Sequence, residues 1–465
     1  MNATLRKFRQ AAAARRGEYA ERRRLHAALA KYERTRAATT QRFQDWESAR
    51  SAAAAIKWDA IEHLDANLAE FADRLAARGA VIHWATDAAA ARNKIIELLN
   101  THGVKRLVKS KCMTTEEIHL NEALEAAGFH VVETDLGEFI VQLRREPPYH
   151  FVCPAIHLRR EAIGELFHEK LGCAETSDPA ELTMVARRRL RDEYLQADAG
   201  LTGANFGVAE TGMISVTENE GNARLCMALP PLHIVLLGIE KIIPRLSDLA
   251  LFLPMLATAG TGQAITCYNS MVGGPRGAGE PDGPREMHVI LLDNGRTRLL
   301  ADPEQRDALR CIRCGACLNV CPIFKNIGGH AYGTTYQGPI GSVITPHLRG
   351  LDEWKHLPYA SSLCGACTQT CPVRIDLHHH LLRNRRNAVR ARAGGLERAM
   401  FGVFAWVMRR PWAYRWAGWL GRLAIRWTRP LRGTAVDPLR AWRGTRELPP
   451  APRRTFGDYW RGRNR

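Results

Sequence analysis

Seven cysteines crowd into the sixty-one residues from Cys311 to Cys371, and they restrict this stretch to one kind of chemistry. Their order is Cys311-x2-Cys314-x2-Cys317-x3-Cys321-Pro322, then Cys364-x2-Cys367-x3-Cys371-Pro372. Thiolate runs at three-residue steps, closed by proline, hold cubane iron–sulfur clusters; in two-cluster ferredoxins the last cysteine of one run ligates the cluster of the other. The proline keeps the chain from continuing a helix through the ligand loop. A zinc site asks instead for two CxxC pairs and four ligands. A disulfide framework conflicts with spacing this tight, and Met1–Gln10 has no apolar h-region of a secretory signal.

The cross-over rule assigns Cys311, Cys314, Cys317 and Cys371 to a first cluster. Cys321, Cys364 and Cys367 remain for a second, which is one thiolate short. A ferredoxin repeat would place the missing cysteine three residues before Cys364, where this chain has Ser361. Three outcomes stay open: a 4Fe-4S cluster with Ser361 as oxygen ligand, a 4Fe-4S cluster with an open iron, or a 3Fe-4S cluster. The cysteine segments carry few large apolar neighbours, so metal binding is expected to supply the folding energy of this module while a fragment of about residues 56–295 folds alone. Cys112, Cys153, Cys173, Cys226 and Cys267 have no partner at metal-ligand spacing and read as small buried hydrophobes.

The formal charge of +18 is unevenly spread. Residues 381–465 carry 21 Arg, no Lys and 4 acids, and residues 1–50 carry 13 basic and 5 acidic side chains, so two basic arms flank a mildly acidic body. Nucleic acid would be one partner for such arms, but no helix-turn-helix, zinc-finger or RRM pattern accompanies them. An anionic membrane surface suits residues 400–427 better, where Phe401, Trp406, Trp412 and Trp419 alternate with Arg409, Arg410, Arg415 and Arg422. The longest apolar stretch, 249–260, is far short of a bilayer span, so the expected location is cytoplasmic, with peripheral attachment at the inner face of the membrane.

Between the arms, hydrophobic periodicity alternates. Strands are expected at Val81–Trp84, Arg106–Lys109, Phe129–Glu133, Phe139–Leu143, Phe151–Cys153, Gly212–Thr217, His233–Gly238, Ala264–Tyr268 and Met287–Leu292. Helices are expected over 1–50, at Arg159–Leu171 and Pro179–Gln196, and at Thr114–Ala127, the last opened by a Thr114/Glu117 capping box. This order predicts an α/β domain with a mostly parallel, buried sheet. A linker near 301–308 then leads to the cysteines, and forty-two residues between Cys321 and Cys364 leave room for helices. His378-His379-His380 reads as a helix surface, since adjacent helical residues point in different directions and cannot share one ion.

The runs CIRCGACLNVCPIFKNIGGHAYG, SSLCGACTQTCPV and GANFGVAETGMISVTENEGNARL together resemble the lactate-utilisation protein B family, over roughly residues 60–380. That resemblance implies a LUD domain whose open α/β sheet is similar to the sugar-phosphate isomerase and CoA-transferase group. An all-helical two-cluster ferredoxin module and a helical basic tail would follow. It favours two 4Fe-4S clusters and implies work with companion proteins in oxidising L-lactate to pyruvate. The expected boundaries are 1–55 for a basic helical arm, 56–300 for the LUD domain, 301–395 for the cluster module and 396–465 for the Trp/Arg-rich tail.

The expected role is an electron-transfer subunit, since no flavin or nicotinamide fingerprint is present and a cluster alone cannot take a hydride. A second reading makes the LUD domain itself the hydroxy-acid site. Lys109 or Lys111, at a strand-to-helix turn, would clamp the carboxylate, and Glu210 would act as base. A third, a nucleic-acid-binding protein with a structural cluster, rests on the basic arms alone.

Overall fold

Burial of the apolar runs between residues 81 and 292 produces two sheets. The computed structural model describes residues 3–392 and 395–463 apart from 444–445, 447–448, 451 and 453. The strands are β1 (Val81–Ala85), β2 (Arg106–Lys109), β3 (His130–Glu133), β4 (Ala199–Thr202), β5 (Phe206–Val208), β6 (Met213–Glu218), β7 (Leu232–Gly238), β8 (Ile242–Ile243), β9 (Tyr268–Val272) and β10 (Glu286–Leu292). Six of them form a fully parallel sheet in the order β1-β10-β7-β4-β2-β3. The other four form a smaller sheet, β8-β5-β6-β9.

Strand β7 is buried at every residue and β10 at all but its first, as a central parallel strand covered on both faces requires. Leu68, Phe71 and Leu75 of helix Leu64–Ala76 pack on one face with Val235, Leu237 and Leu291. Ile95, Leu99 and Leu124 pack on the other with Ile234, Leu236 and Ile290.

Several expected elements differ. Phe139–Leu143 lies in a helix, Leu136–Arg144, because the Asp135 side chain accepts the Glu138 N–H and caps it. A short apolar run is ambiguous until such a cap is weighed. Phe151–Cys153 is a loop, and it has no strand partner. The expected strand at Ala264–Tyr268 begins at Tyr268, where pairing with β6 starts. No capping box opens the helix at Met113–Glu117; Glu117 is drawn to Arg296 instead.

The cysteine-bearing segment does not stand apart from the α/β domain. Residues 1–388 form one unit and 389–465 a second. A single apolar cluster in the first unit joins Leu25 and Leu29 of the N-terminal helices, Phe252 and Met255, and Phe324, Ile340, Val343 and Trp354 around the cysteines. The N-terminal segment is therefore part of the body, and residues 56–295 share their core with the cluster module. In the loop at 149–153, the Val152 side chain meets the cluster loop where Gly315 would carry a Cβ, and the Tyr149 carbonyl oxygen lies 1.6 Å from a Cβ built on Gly329.

The second unit holds helices Gly395–Met408 and Pro411–Trp427, whose Phe401, Phe404, Trp412 and Trp416 are exposed. Arg410 stacks over Trp406, and Trp406 meets Trp412 edge to face. No described helix is long and apolar enough to cross a membrane.

Gly329→Ala should destabilise the body by about 1–3 kcal/mol or more through overpacking against Tyr149. Gly402→Ala, with open space around its added Cβ, should be neutral or mildly stabilising. Anaerobic thermal unfolding compares the two.

Candidate iron–sulfur centre and the cavity beside it

Two loops of the same shape present the cysteines. In the first, Arg313 has φ 58° and its N–H points at Cys311 Sγ, 3.4 Å away. Gly315 follows at φ 80° and opens the short helix Ala316–Asn319, which carries Cys317. In the second, Leu363 has φ 57° and its N–H points at Ser361 Oγ, 3.1 Å away. Gly365 follows at φ 81° and opens the helix Ala366–Thr370, which carries Cys367. Left-handed backbone at a side-chain-bearing residue costs about 1–2 kcal/mol, and both loops hold it at the same step. Ser361 therefore occupies the place in its loop that Cys311 occupies in the other.

Within the first expected set Cys311 acts electrostatically on Cys314, Cys317 and Cys371, within the second Cys364 acts on Cys321 and Cys367, and Cys367 also acts across them on Cys317. Burial first, and then these neighbours, push Cys367 up to about 12 and Cys371 up to about 11. Cys314 and Cys317 are raised for the same reasons, whereas the exposed Cys364 is lowered by the Ala366 N–H.

Backbone N–H groups also face the sulfurs: Ala316 at Cys314, Ile340 at Cys317, Ile323 and Phe324 at Cys321, Val373 and Ile375 at Cys371. Crowded thiols that ionise poorly alone, yet are ringed by donors, fit iron, which deprotonates them and leaves sulfurs as acceptors.

The N-terminal helices add cations to the first set. Arg50 Nε donates to the Cys371 carbonyl at 2.9 Å, and Arg36 Nη2 donates to the Thr370 carbonyl at 3.2 Å. Their charges favour the thiolates of Cys371 and Cys314.

On the α/β side, the residues following β2 and β4 border a cavity of about 340 Å³. Its lining includes Lys111, Cys112, Asn205 and Lys241 from the α/β domain and Arg313 and Cys314 from the cluster loop. Beneath it lies a charge network. Arg296 donates to both Glu117 oxygens at 2.9 Å and to Glu240, and Arg313 Nη2 donates to Glu240 at 3.0 Å. Tyr336 donates to Glu117 at 2.7 Å, and the buried Lys57 donates to the Glu240 and Ile242 carbonyls. Burial opposes ionisation of Glu117 and Glu240, but Arg296 outweighs it and holds both carboxyls down, Glu240 at about 2.

Of the three expected site residues in this domain, only Lys111 borders the cavity; its ammonium donates to the Val152 carbonyl. Lys109 is fully buried, 2.5 Å from Glu133 and 3.1 Å from Glu116. Burial opposes its charge, but those carboxylates hold the ammonium above its usual range. Glu210 is exposed, accepts the Leu246 N–H at 2.8 Å, and lies outside the cavity lining.

The histidine run is only partly a helix surface: His379 is exposed, but His380 is buried with Nε2 2.8 Å from Asp307. Of the five scattered cysteines, Cys112 and Cys226 are buried, Cys153 and Cys173 half-buried, and Cys267 exposed. Lys241 and Arg313 were not legible as cavity residues, because the partners that place them lie far along the chain.

Residues 68–292 match the LUD domain family, and residues 307–375 match the 4Fe-4S dicluster domain. The lactate utilization protein B of Bacillus velezensis is 42% identical over 426 residues, covering 90% of this chain and 89% of that protein. Its counterpart in Geobacillus thermodenitrificans is 43% identical over 425 residues, covering 90% and 89%. An uncharacterized electron transport protein of Escherichia coli K12 is 41% identical over 422 residues, covering 90% and 88%. A crystal structure of a DUF162 family protein from Deinococcus radiodurans aligns with 49% of this chain and 98% of its own, at 16% identity and TM-score 0.28.

The contribution of the Glu117 and Glu240 carboxylates is present in full above the usual 4.5 and is lost as pH falls toward about 2. Arg296→Met should cost about 3–5 kcal/mol by leaving Glu117 without an ion pair and Glu240 with Arg313 alone. The deficit should be larger near pH 8 than near pH 5.5, because burial then raises the unpaired Glu117 carboxyl. Adding Glu117→Gln should recover part of it, read by anaerobic thermal unfolding.

Proposed function

Since the chain belongs to the lactate utilization protein B family, we propose that it carries electrons in the oxidation of L-lactate to pyruvate, between a substrate-oxidising site and an acceptor. The observation that supports this reading is the gathering of seven cysteines around two loops of one shape, five of them buried, Cys311 half-buried and Cys364 exposed. Cys311, Cys314, Cys317 and Cys371 would hold one 4Fe-4S cluster, and Cys321, Cys364 and Cys367 would hold three irons of another. Such clusters each supply one-electron transfer, so two of them suit the two electrons that a hydroxy acid releases.

The chain's own residues do the rest. Arg36, Arg50 and Arg313 surround the first set with positive charge and favour its reduced, more negative state. The second set has Lys325 as its nearby cation and an exposed edge at Cys364, where a partner protein can exchange electrons. We assign the fourth position of the second cluster to Ser361, because the loop repeat puts its hydroxyl where Cys311 presents sulfur.

The tail supports a further part of the reading. Helices Gly395–Met408 and Pro411–Trp427 would hold the protein at an anionic membrane surface, with exposed rings at headgroup depth and each arginine adding about 1 kcal/mol.

Three measurements test these statements. Anaerobic protein mixed with its companion lactate-utilisation proteins should lose visible absorption on adding L-lactate; loaded clusters that stay oxidised would overturn the carrier role. Ser361→Ala should lower iron retention at the second site with the first cluster's reduced EPR signal intact, and Ser361→Cys should restore it. Unchanged iron in Ser361→Ala removes Ser361 from the coordination shell. Co-sedimentation with anionic vesicles at low salt should require residues 400–427, and no sedimentation of the full chain removes the membrane attachment.

A further inference from the structure

At the amino ends of the large sheet's strands, opposite the cavity, three side chains turn acceptor atoms toward one point. Glu286 opens β10 and His288 follows two residues on, so both stand on the same face of the strand. That face also carries Ile290, against which Ile95 and Leu99 of helix Ala88–Thr101 pack. His102, the residue after that helix, thereby comes over the start of β10. Its Nε2 lies 3.0 Å from Glu286 Oε2, and His288 Nε2 lies 3.6 Å from the same oxygen. All three atoms fall within 4.8 Å of one another.

The hydrogen bonds around the two rings set where their protons sit. His102 Nδ1 lies 2.7 Å from the Leu98 carbonyl, which can only accept, so Nδ1 carries the proton and the neutral ring offers a lone pair at Nε2. His288 Nδ1 faces His83 Nε2 at 3.0 Å, and a proton on that Nδ1 leaves a lone pair on His288 Nε2 as well. The His288 side chain is 8% exposed, and its Nε2 finds no hydrogen-bond partner among the described residues. At 3.6 Å, Glu286 is too distant to serve as one. Burial holds His288 and His83 below the usual imidazole range, so both stay neutral near pH 7. A proton on His102 would satisfy Glu286 and still leave the buried His288 nitrogen unpaired. One cation shared by the three atoms satisfies them all.

The spacing suits a metal ion. Tetrahedral bonds of about 2.0–2.1 Å to nitrogen and oxygen place donor atoms about 3.3 Å apart, and the 3.0 and 3.6 Å separations straddle that value. Two imidazoles and one carboxylate fit zinc and its neighbours rather than Mg²⁺ or Ca²⁺, which prefer oxygen. Each histidine has its other ring nitrogen engaged, by the Leu98 carbonyl or by His83, the outer support that orients metal-binding imidazoles. Lys94, a cation acting on both His83 and His288, is itself paired with Glu97 at 2.7 Å.

We propose that His102 Nε2, His288 Nε2 and Glu286 Oε2 bind a divalent ion of the zinc class, with water in the fourth position and His83 holding the His288 ring in its metal-binding tautomer. Glu286 is 57% exposed, so the fourth position opens to solvent. The ion ties the end of helix Ala88–Thr101 to the start of β10, at the other end of the sheet from the thiols, and the site stands whether or not the electron-carrier reading does.

The test uses the full-length, cluster-loaded chain, dialysed anaerobically against Zn²⁺, with bound zinc counted against iron and its donors read by zinc K-edge EXAFS. One zinc per chain should be retained, with a nitrogen/oxygen shell at about 2.0–2.1 Å and no sulfur shell at about 2.3 Å. Even outer partners of a metal site are worth about 10–100-fold in affinity, so His288→Gln should weaken zinc binding at least about a hundredfold with iron content unchanged. If that variant fails to fold, His102→Gln, at a more exposed position, should do the same. His83→Leu should weaken binding about 10–100-fold, whereas His83→Gln, which keeps an acceptor for the His288 Nδ1 proton, should retain most of it. No zinc on iron-loaded protein, a sulfur shell, or unchanged affinity in the folded ligand variants would overturn the site. Displacement of zinc by an excess of Mg²⁺ would overturn the imidazole donor set, and equal loss in the two His83 variants would overturn the role of that ring.

Discussion

Arg296 sits where three parts of the chain meet. Its guanidinium is fully enclosed and divides its donors between Glu117, from the turn after β2, and Glu240, from the end of β7. Glu240 in turn holds Arg313 of the first cysteine loop, and its backbone carbonyl holds Lys57 of the N-terminal helices. Buried charges are tolerated only when paired, so each member fixes the others' positions. The α/β sheet, the N-terminal helices and the cluster loop are thereby keyed to one another.

Close approach of backbones completes this registration. A Cβ on Gly260 would come 2.9 Å from the Cys314 carbonyl, so the end of helix Leu249–Thr261 can lie against the cluster loop only because that residue is glycine. Asn319 donates to the Gly260 carbonyl at 3.0 Å, and its Oδ1 accepts from the His150 ring Nε2 at 3.1 Å. Burial and then Lys111 lower the His150 imidazole to about 3, so it stays neutral in this contact. The result is that Cys314 belongs at once to a thiol set and to the cavity wall.

The two thiol sets consequently differ in surroundings although their loops repeat. The first has arginines around it and faces the α/β cavity; the second has an exposed cysteine, and Ser361 takes the loop position that Cys311 takes in the first. Charge and solvent exposure both move cluster potentials, so near-identical loops are placed in unequal electrostatic settings by what packs on them.

Local signals in the chain carried much of this. Spacing of Cys311 to Cys371 marked an iron–sulfur segment, because three-residue steps and a closing proline constrain a loop wherever it folds. The missing cysteine at Ser361 was visible by the same count. Buried parallel strands such as β7 and β10 were legible from uninterrupted apolar runs. Other features turned on a helix cap or on a distant partner. Phe139–Leu143 became helix through one cap, and Glu117 left its capping box for an arginine 179 residues away. Lys109 proved committed to Glu133, and Glu210 to a backbone N–H. The sequence by itself determined the metal chemistry, since ligand spacing is a local property of the chain. Only the tertiary structure decided that Arg313 and Lys241 share a cavity with Cys314, because burial and unpaired donors exist only once remote segments have packed.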